Sequence, residues 1–137
     1  LAYKVIVDGS MRDKRIAVGI IITNQGKILE QIGKRLGDGT SLQSEFLAIY
    51  ESLKLMLEFA PNSCVTIVTD CNEVEQVLNG QKEISASSCE DVVRRIRELE
   101  TKFAKIEYQK GTDQQVRLAH NLAKKALPQK RGYSFRV

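Results

Sequence analysis

Three carboxylates stand where backbone elements end or begin. Asp8 follows the β-rich run Tyr3–Val7, Asp70 follows the run Val65–Thr69, and Glu45 lies near the start of an apolar-periodic stretch that opens at Ser41. Each has a plain use by itself. Asp8-Gly9 is a common turn pair, Asp70 could cap the helix that follows it, and Glu45 is an acid near a helix N-terminus. Brought together, they would have a different use. Like charges in one place raise one another's pKa, and a cation relieves that cost. An oxygen-only donor set suits Mg²⁺ or Mn²⁺ better than Zn²⁺. Carboxylates sharing two such ions point to two-metal hydrolysis of a phosphodiester.

Whether the three meet depends on the elements that carry them. Tyr3–Val7 is read as a strand stopped by Asp8-Gly9-Ser10. Arg15–Thr23 is a second β-branched run, and Asn24-Gln25-Gly26 turns it into an alternating third strand, Lys27–Lys34. These read as an antiparallel meander. After a loop at Gly37–Thr40, Ser41 to about Phe59 has apolar residues at helical period and stops at Pro61-Asn62. Val65–Thr69 is a fourth strand, and Asn72–Leu78 a short helix closed by Asn79-Gly80. Ser85 to Ser88 could cap a helix from Glu90 to Phe103, Ala104–Gln109 is a fifth strand, and Lys110–Gln115 a polar loop. Val116–Leu127 is a last helix stopped by Pro128. The order β-β-β-α-β-α-α-β-α predicts an α/β fold, a five-stranded mixed sheet with helices on both faces. The right-handed crossover sets the fourth strand parallel to the first and beside it. Asp8 and Asp70 then lie at neighbouring carboxyl ends, where open α/β sheets bind ligands.

Composition bounds the rest. The 137 residues fit one domain, and 42% hydrophobic with 28% charged residues excludes a disordered or fibrous chain. No apolar run reaches the roughly 20 residues of a membrane span, and Leu1–Asp8 lacks a secretory pattern. Cys64, Cys71 and Cys89 form no C-x-x-C pair, and their odd number predicts a reducing, cytoplasmic setting. Residues 124–137 carry five basic side chains and no acid, so the excess positive charge gathers at the end of the chain. We expect a domain over residues 1–127 and a basic tail over 128–137. Lys130, Arg131 and Arg136 would add non-specific affinity for nucleic acid. No apolar surface stripe suggests a dimer, so a monomer is expected.

Several pieces in order resemble the ribonuclease H family of type 1. They are Val5-Ile6-Val7-Asp8-Gly9-Ser10, Gly19–Ile22, Ser44-Glu45 with Phe46-Leu47-Ala48, Val68-Thr69-Asp70-Cys71-Asn72 and Leu122–Ala126. The resemblance spans nearly the whole chain. It implies that Asp8 bridges two ions, Mg²⁺ or Mn²⁺, with Glu45 and Asp70 each holding one. His120, the chain's one histidine, stands where the family usually has a fourth carboxylate. It is read as the fourth catalytic and metal-binding group. Gly9, Ser10, Thr40, Ser41 and Asn72 fall at positions that contact nucleic acid, Ser10 near the 2′-hydroxyl.

The chain also departs from the family. Thr112 replaces a loop histidine, and Thr40–Gln43 replace a pair of asparagines. The hairpin after the first strand is shortened to Met11–Arg15, and no Trp-bearing basic handle is present.

The resemblance implies an endonuclease that cuts the RNA strand of an RNA–DNA hybrid, leaving a 5′-phosphate and a 3′-hydroxyl. It would recognise shape and 2′-hydroxyls rather than sequence. The departures support one alternative, a weakened domain that holds nucleic acid within a larger assembly. A junction-cutting nuclease of the same fold is a third reading. A nucleotide-binding domain is excluded by the missing Gly-rich phosphate loops.

Overall fold

The computed structural model describes residues 2–128. Five strands form one sheet in the order β3-β2-β1-β4-β5: β1 Ala2–Arg12, β2 Arg15–Asn24, β3 Lys27–Asp38, β4 Cys64–Thr69 and β5 Lys105–Lys110. The first three are antiparallel neighbours, and β1, β4 and β5 run parallel. Four helices complete the chain: α1 Ser41–Phe59, α2 Asn72–Leu78, α3 Glu90–Glu100 and α4 Asp113–Ala126. A 3-10 turn, Ser87–Cys89, leads into α3. This is the expected mixed sheet in the expected element order. The basic tail, apart from Pro128, lies outside the described residues.

Element boundaries differ at the places that shape the site. The first strand does not stop at Asp8. It continues through Asp8, Gly9 and Ser10, which pair with Gly19, Val18 and Ala17 of β2, to a turn at Asp13-Lys14 with positive φ at both residues. Asp-Gly is a turn signal only where no partner strand competes, and the β2 ladder overrides it. The parallel pairing with β4 does end here, at Ile6↔Val68. Asp8 therefore lies just beyond the last parallel pair, still held by an antiparallel one. The expected polar loop at 110–115 shrinks to Gly111-Thr112, because Thr112 caps α4 three residues earlier than predicted.

Side-chain alternation assigns each site residue to a face. Helix α1 covers one face, with α3 packed against α1, and there Val5, Val7, Val18, Ile20 and Ile67 pack on Phe46, Ile49, Leu53 and Met56. Fully burying each such side chain contributes about 1.5–3 kcal/mol. The opposite face of β1–β3 carries α4. A Cβ on Gly19 would stand 1.9 Å from the Ala119 carbonyl oxygen, so α4 rests directly on the β2 backbone. Cross-strand partners share a face, so the pair Asp8↔Gly19 turns the Asp8 side chain toward α4.

This contact yields a prediction. Gly19→Ala must lift α4 from the sheet, and overpacking of this kind costs about 1–3 kcal/mol. A thermal melt should show the loss. An unchanged melt would mean that α4 does not need this close approach.

Candidate active site

Asp8, just past the end of the parallel β1–β4 pairing, and Asp70, just past β4, come together, and α1 adds Glu45 from the other face. Ligand oxygens of all three lie within 4.8 Å of one another. Glu45 reaches Asp8 because α1 crosses β1 at Gly9. A Cβ on Gly9 would lie 2.3 Å from the Ser44 backbone, so this crossing admits only glycine. The Gly9 N–H then donates to Glu45 Oε1 at 3.0 Å and aims the carboxylate at the cluster. Gly9 thus orients Glu45, a role that sequence reasoning missed in assigning it to substrate contact.

His120 joins from α4. Its Nδ1 stands 2.7 Å from Asp8 Oδ2. With Asp8 ionised, the carboxylate accepts from Nδ1–H. Asp8 is buried, whereas the His120 side chain is half exposed. Among the described residues, the mutually close ligand set is the three carboxylates, and His120 stands against it through Asp8.

The anticipated plain use of Asp70, capping α2, is not realised. The N-cap of α2 is Cys71, which has no side-chain cap bond, and the Cys71 N–H donates to Thr69 Oγ1 in the turn before the helix. Among the described residues, Asp70 makes no side-chain hydrogen bond or ion pair. It is held at the mouth of the site with no visible structural duty.

The carboxylates crowd one another's charge in a largely buried setting. Burial raises the Asp8 carboxyl above its ordinary range, the Asp70 charge adds to this, and the His120 hydrogen bond opposes it. Burial, followed by the Asp8 charge, pushes Glu45 from its ordinary 4.5 up to about 8. Without a cation, a proton takes the cation's place.

The pH consequence is a stability that declines upward. The folded Glu45 favours the protonated form, so its contribution is full below pH 4.5 and is lost as pH rises through about 8. In metal-free protein, Glu45→Gln should match the unsubstituted chain near pH 4 and exceed it in stability above pH 8. The expected gain is on the order of 2 kcal/mol. Denaturant melts at the two pH values measure it, and divalent cation should erase the difference.

The remaining expected site residues surround the cluster. Ser10 is half-buried on β1, and Ser41 and Asn72 are exposed first residues of α1 and α2. Thr40 is engaged as the α1 cap: its hydroxyl accepts from the Gln43 N–H, and Gln43 Oε1 accepts in return from the Thr40 N–H. Thr112 forms the same box with Gln115. The T-x-x-Q spacing was the available signal for both. The residue in place of the loop histidine thus caps α4. Cys64, Cys71 and Cys89 are all free thiols.

A mixed sheet of this order, with one carboxylate inside β1 where its parallel pairing ends and one just after β4, is the ribonuclease H fold. A family model described as reverse transcriptase-like matches residues 6–126, and the chain belongs to that family. The RNase H1 of the halophilic archaeon Halobacterium salinarum NRC-1 superposes with a TM-score of 0.86 at 24% identity, covering 92% of this chain and 97% of that one. LC11-RNase H1, solved in complex with an RNA/DNA hybrid, gives 0.85 at 15% identity, covering 90% of this chain and 95% of that one. The protease-reverse transcriptase of prototype foamy virus gives 0.70 at 19% identity, with 95% of this chain matching 21% of the viral one. At these identities the shared feature is the fold. No curated protein matches the chain by sequence.

Proposed function

We propose that the chain is a metal-dependent endoribonuclease that hydrolyses the RNA strand of RNA–DNA hybrids. The observation that carries this reading is the convergence of Asp8, Glu45 and Asp70, with ligand oxygens within 4.8 Å of one another at the switch point of the sheet. The donor set fits hard divalent ions, and the raised carboxyl groups of Asp8 and Glu45 fit a site built for cation rather than for bare charge. Two Mg²⁺ or Mn²⁺ ions held there would supply Lewis-acid stabilisation of the charge that builds on phosphate oxygens.

The residues divide the remaining work. Asp8, central and buried, would be shared between the ions, with Glu45 and Asp70 on either side. The Gly9 N–H keeps Glu45 in place. His120 is proposed as the fourth ligand, and its contact with Asp8 places it at the edge of the set. Ser10, Thr40, Ser41 and Asn72 would contact the hybrid, with Ser10 reading a 2′-hydroxyl. The products would carry a 5′-phosphate and a 3′-hydroxyl. We further propose a monomer working in a reducing cytoplasm, which the free thiols favour. No helix among the described residues is long and apolar enough to cross a membrane.

A second reading is a nucleic-acid-binding domain of a larger protein with weakened catalysis. The same fold matching about a fifth of a viral protease-reverse transcriptase favours it. Parallel incubation of the protein with labelled hybrid, RNA duplex and DNA duplex, in Mg²⁺ and in Mn²⁺, separates the two. Hybrid cut alone supports the nuclease. Hybrid bound and left whole supports the second reading.

A further inference from the structure

A cleft of about 360 Å³ opens beside the carboxylate cluster, lined by Asp70, Asp113, Val116, Arg117 and His120. It shares Asp70 and His120 with the proposed active site and continues along α4. Among the described residues, Arg117 is its one permanent cation. It is exposed, follows the buried Val116 in α4, and lies three residues before His120, about 4.5 Å along the axis.

The other arginines of the helices and strands are mostly engaged. Arg12 and Arg35 donate to the carbonyls of Pro128 and Ala126. Arg94 and Arg95 pair with Asp91, and Arg97 with Glu100. Among the described residues, Arg117 makes no ion pair or hydrogen bond. It leaves even Asp113 unpaired, although that acid lies four residues earlier on the same face. An unpaired guanidinium among carboxylates, at the edge of a site that must receive a polyanion, has the fork geometry that phosphate oxygens fit.

We infer that Arg117 binds the phosphate adjacent to the scissile one on the cleaved strand, and so sets the register of the hybrid in the site. This rests on the proposed nuclease reading and adds a positioning residue to it. A strand whose reacting phosphate sits at Asp8, Glu45 and Asp70 and whose path follows the cleft passes its next phosphate over Arg117. There the charge-assisted contact replaces the missing ion pair.

Hybrid binding followed by fluorescence anisotropy across a salt series tests this without relying on turnover. Arg117→Ala should weaken binding three- to tenfold near 0.1 M salt and lower the salt slope by about 0.7–0.9, the value for one phosphate. Arg117→Lys should keep the slope and recover part of the affinity. Replacing the neighbouring RNA phosphate by an uncharged methylphosphonate should weaken the unsubstituted protein and leave Arg117→Ala unaffected. Asp113→Asn should bind equally well or better, because it removes a competing charge.

An Arg117→Ala slope equal to that of the unsubstituted chain would overturn the inference. If the thermal melts of Arg117→Ala and Asp113→Asn then fall together, Arg117 is a helix-surface partner of Asp113. A protein that cuts hybrid with an Arg117-independent slope loses this inference and keeps the activity. One that shows the Arg117-dependent slope and cuts nothing keeps the inference and loses the activity. No hybrid binding would overturn both.

Discussion

Asp70→Asn is expected to abolish hybrid cleavage while leaving hybrid binding and folding intact. The carboxylate offers an oxygen within 4.8 Å of those of Asp8 and Glu45. It has no hydrogen-bond or ion-pair duty among the described residues, and the N-cap of α2 is Cys71, with no side-chain cap bond for Asp70 to supply. An amide of the same shape keeps the packing and removes the charge. In the absence of divalent ions, the variant should melt at the same temperature or higher, gaining about 0.5–1 kcal/mol from relieved repulsion. A large loss of stability would assign Asp70 a structural role instead, and retained cleavage would remove it from the metal set.

The second large effect belongs to His120. Its Nδ1 lies 2.7 Å from Asp8 Oδ2, so it acts on the most buried carboxylate of the cluster. An imidazole in place of an anion leaves the site one negative charge poorer and offers a nitrogen donor. Mn²⁺ accepts that donor more readily than Mg²⁺ does. Activity should therefore favour Mn²⁺. His120→Asp should keep activity and shift it toward Mg²⁺. His120→Ala should slow turnover at least tenfold, about 1.4 kcal/mol of barrier, and weaken one metal. Unchanged rates for His120→Ala in both metals would make His120 a helix-surface residue and leave the chemistry to Asp8, Glu45 and Asp70.

The sheet order, the α1 and α2 boundaries and the Gln25-Gly26 turn were legible because local signals and tertiary structure agree there. The β-branched run Arg15–Thr23 reads as a strand from its composition, and its residues Ile16–Ile22 are buried on both faces. The passage of β1 through Asp8-Gly9-Ser10 was not legible. Its cause is a ladder to residues about ten positions away, and locally Asp-Gly says turn. The role of Gly9 was hidden for the same reason, since only the crossing of α1 makes its missing side chain and its N–H matter. Helix α3 ends at Glu100 rather than Phe103, and Ser85 is turned to Glu73 instead of capping it. The three carboxylates were foreseen as a set from topology. The orientation of Glu45 by Gly9, the pairing of His120 with Asp8, and the cleft at Arg117 arise only from the folded packing of α1 and α4 on the sheet.

The central claim is that these carboxylates direct hydrolysis of RNA in a hybrid. Its most direct measurement is a single-turnover incubation of protein with a hybrid labelled at each RNA end in turn. Mn²⁺ or Mg²⁺ is present, and the product termini are identified. The account predicts internal cuts in the RNA strand alone, new 5′-phosphate and 3′-hydroxyl ends, and no cutting by Asp70→Asn under the same conditions. An RNA strand that stays whole in both metals while the hybrid is visibly bound would contradict it, as would cuts that persist in Asp70→Asn.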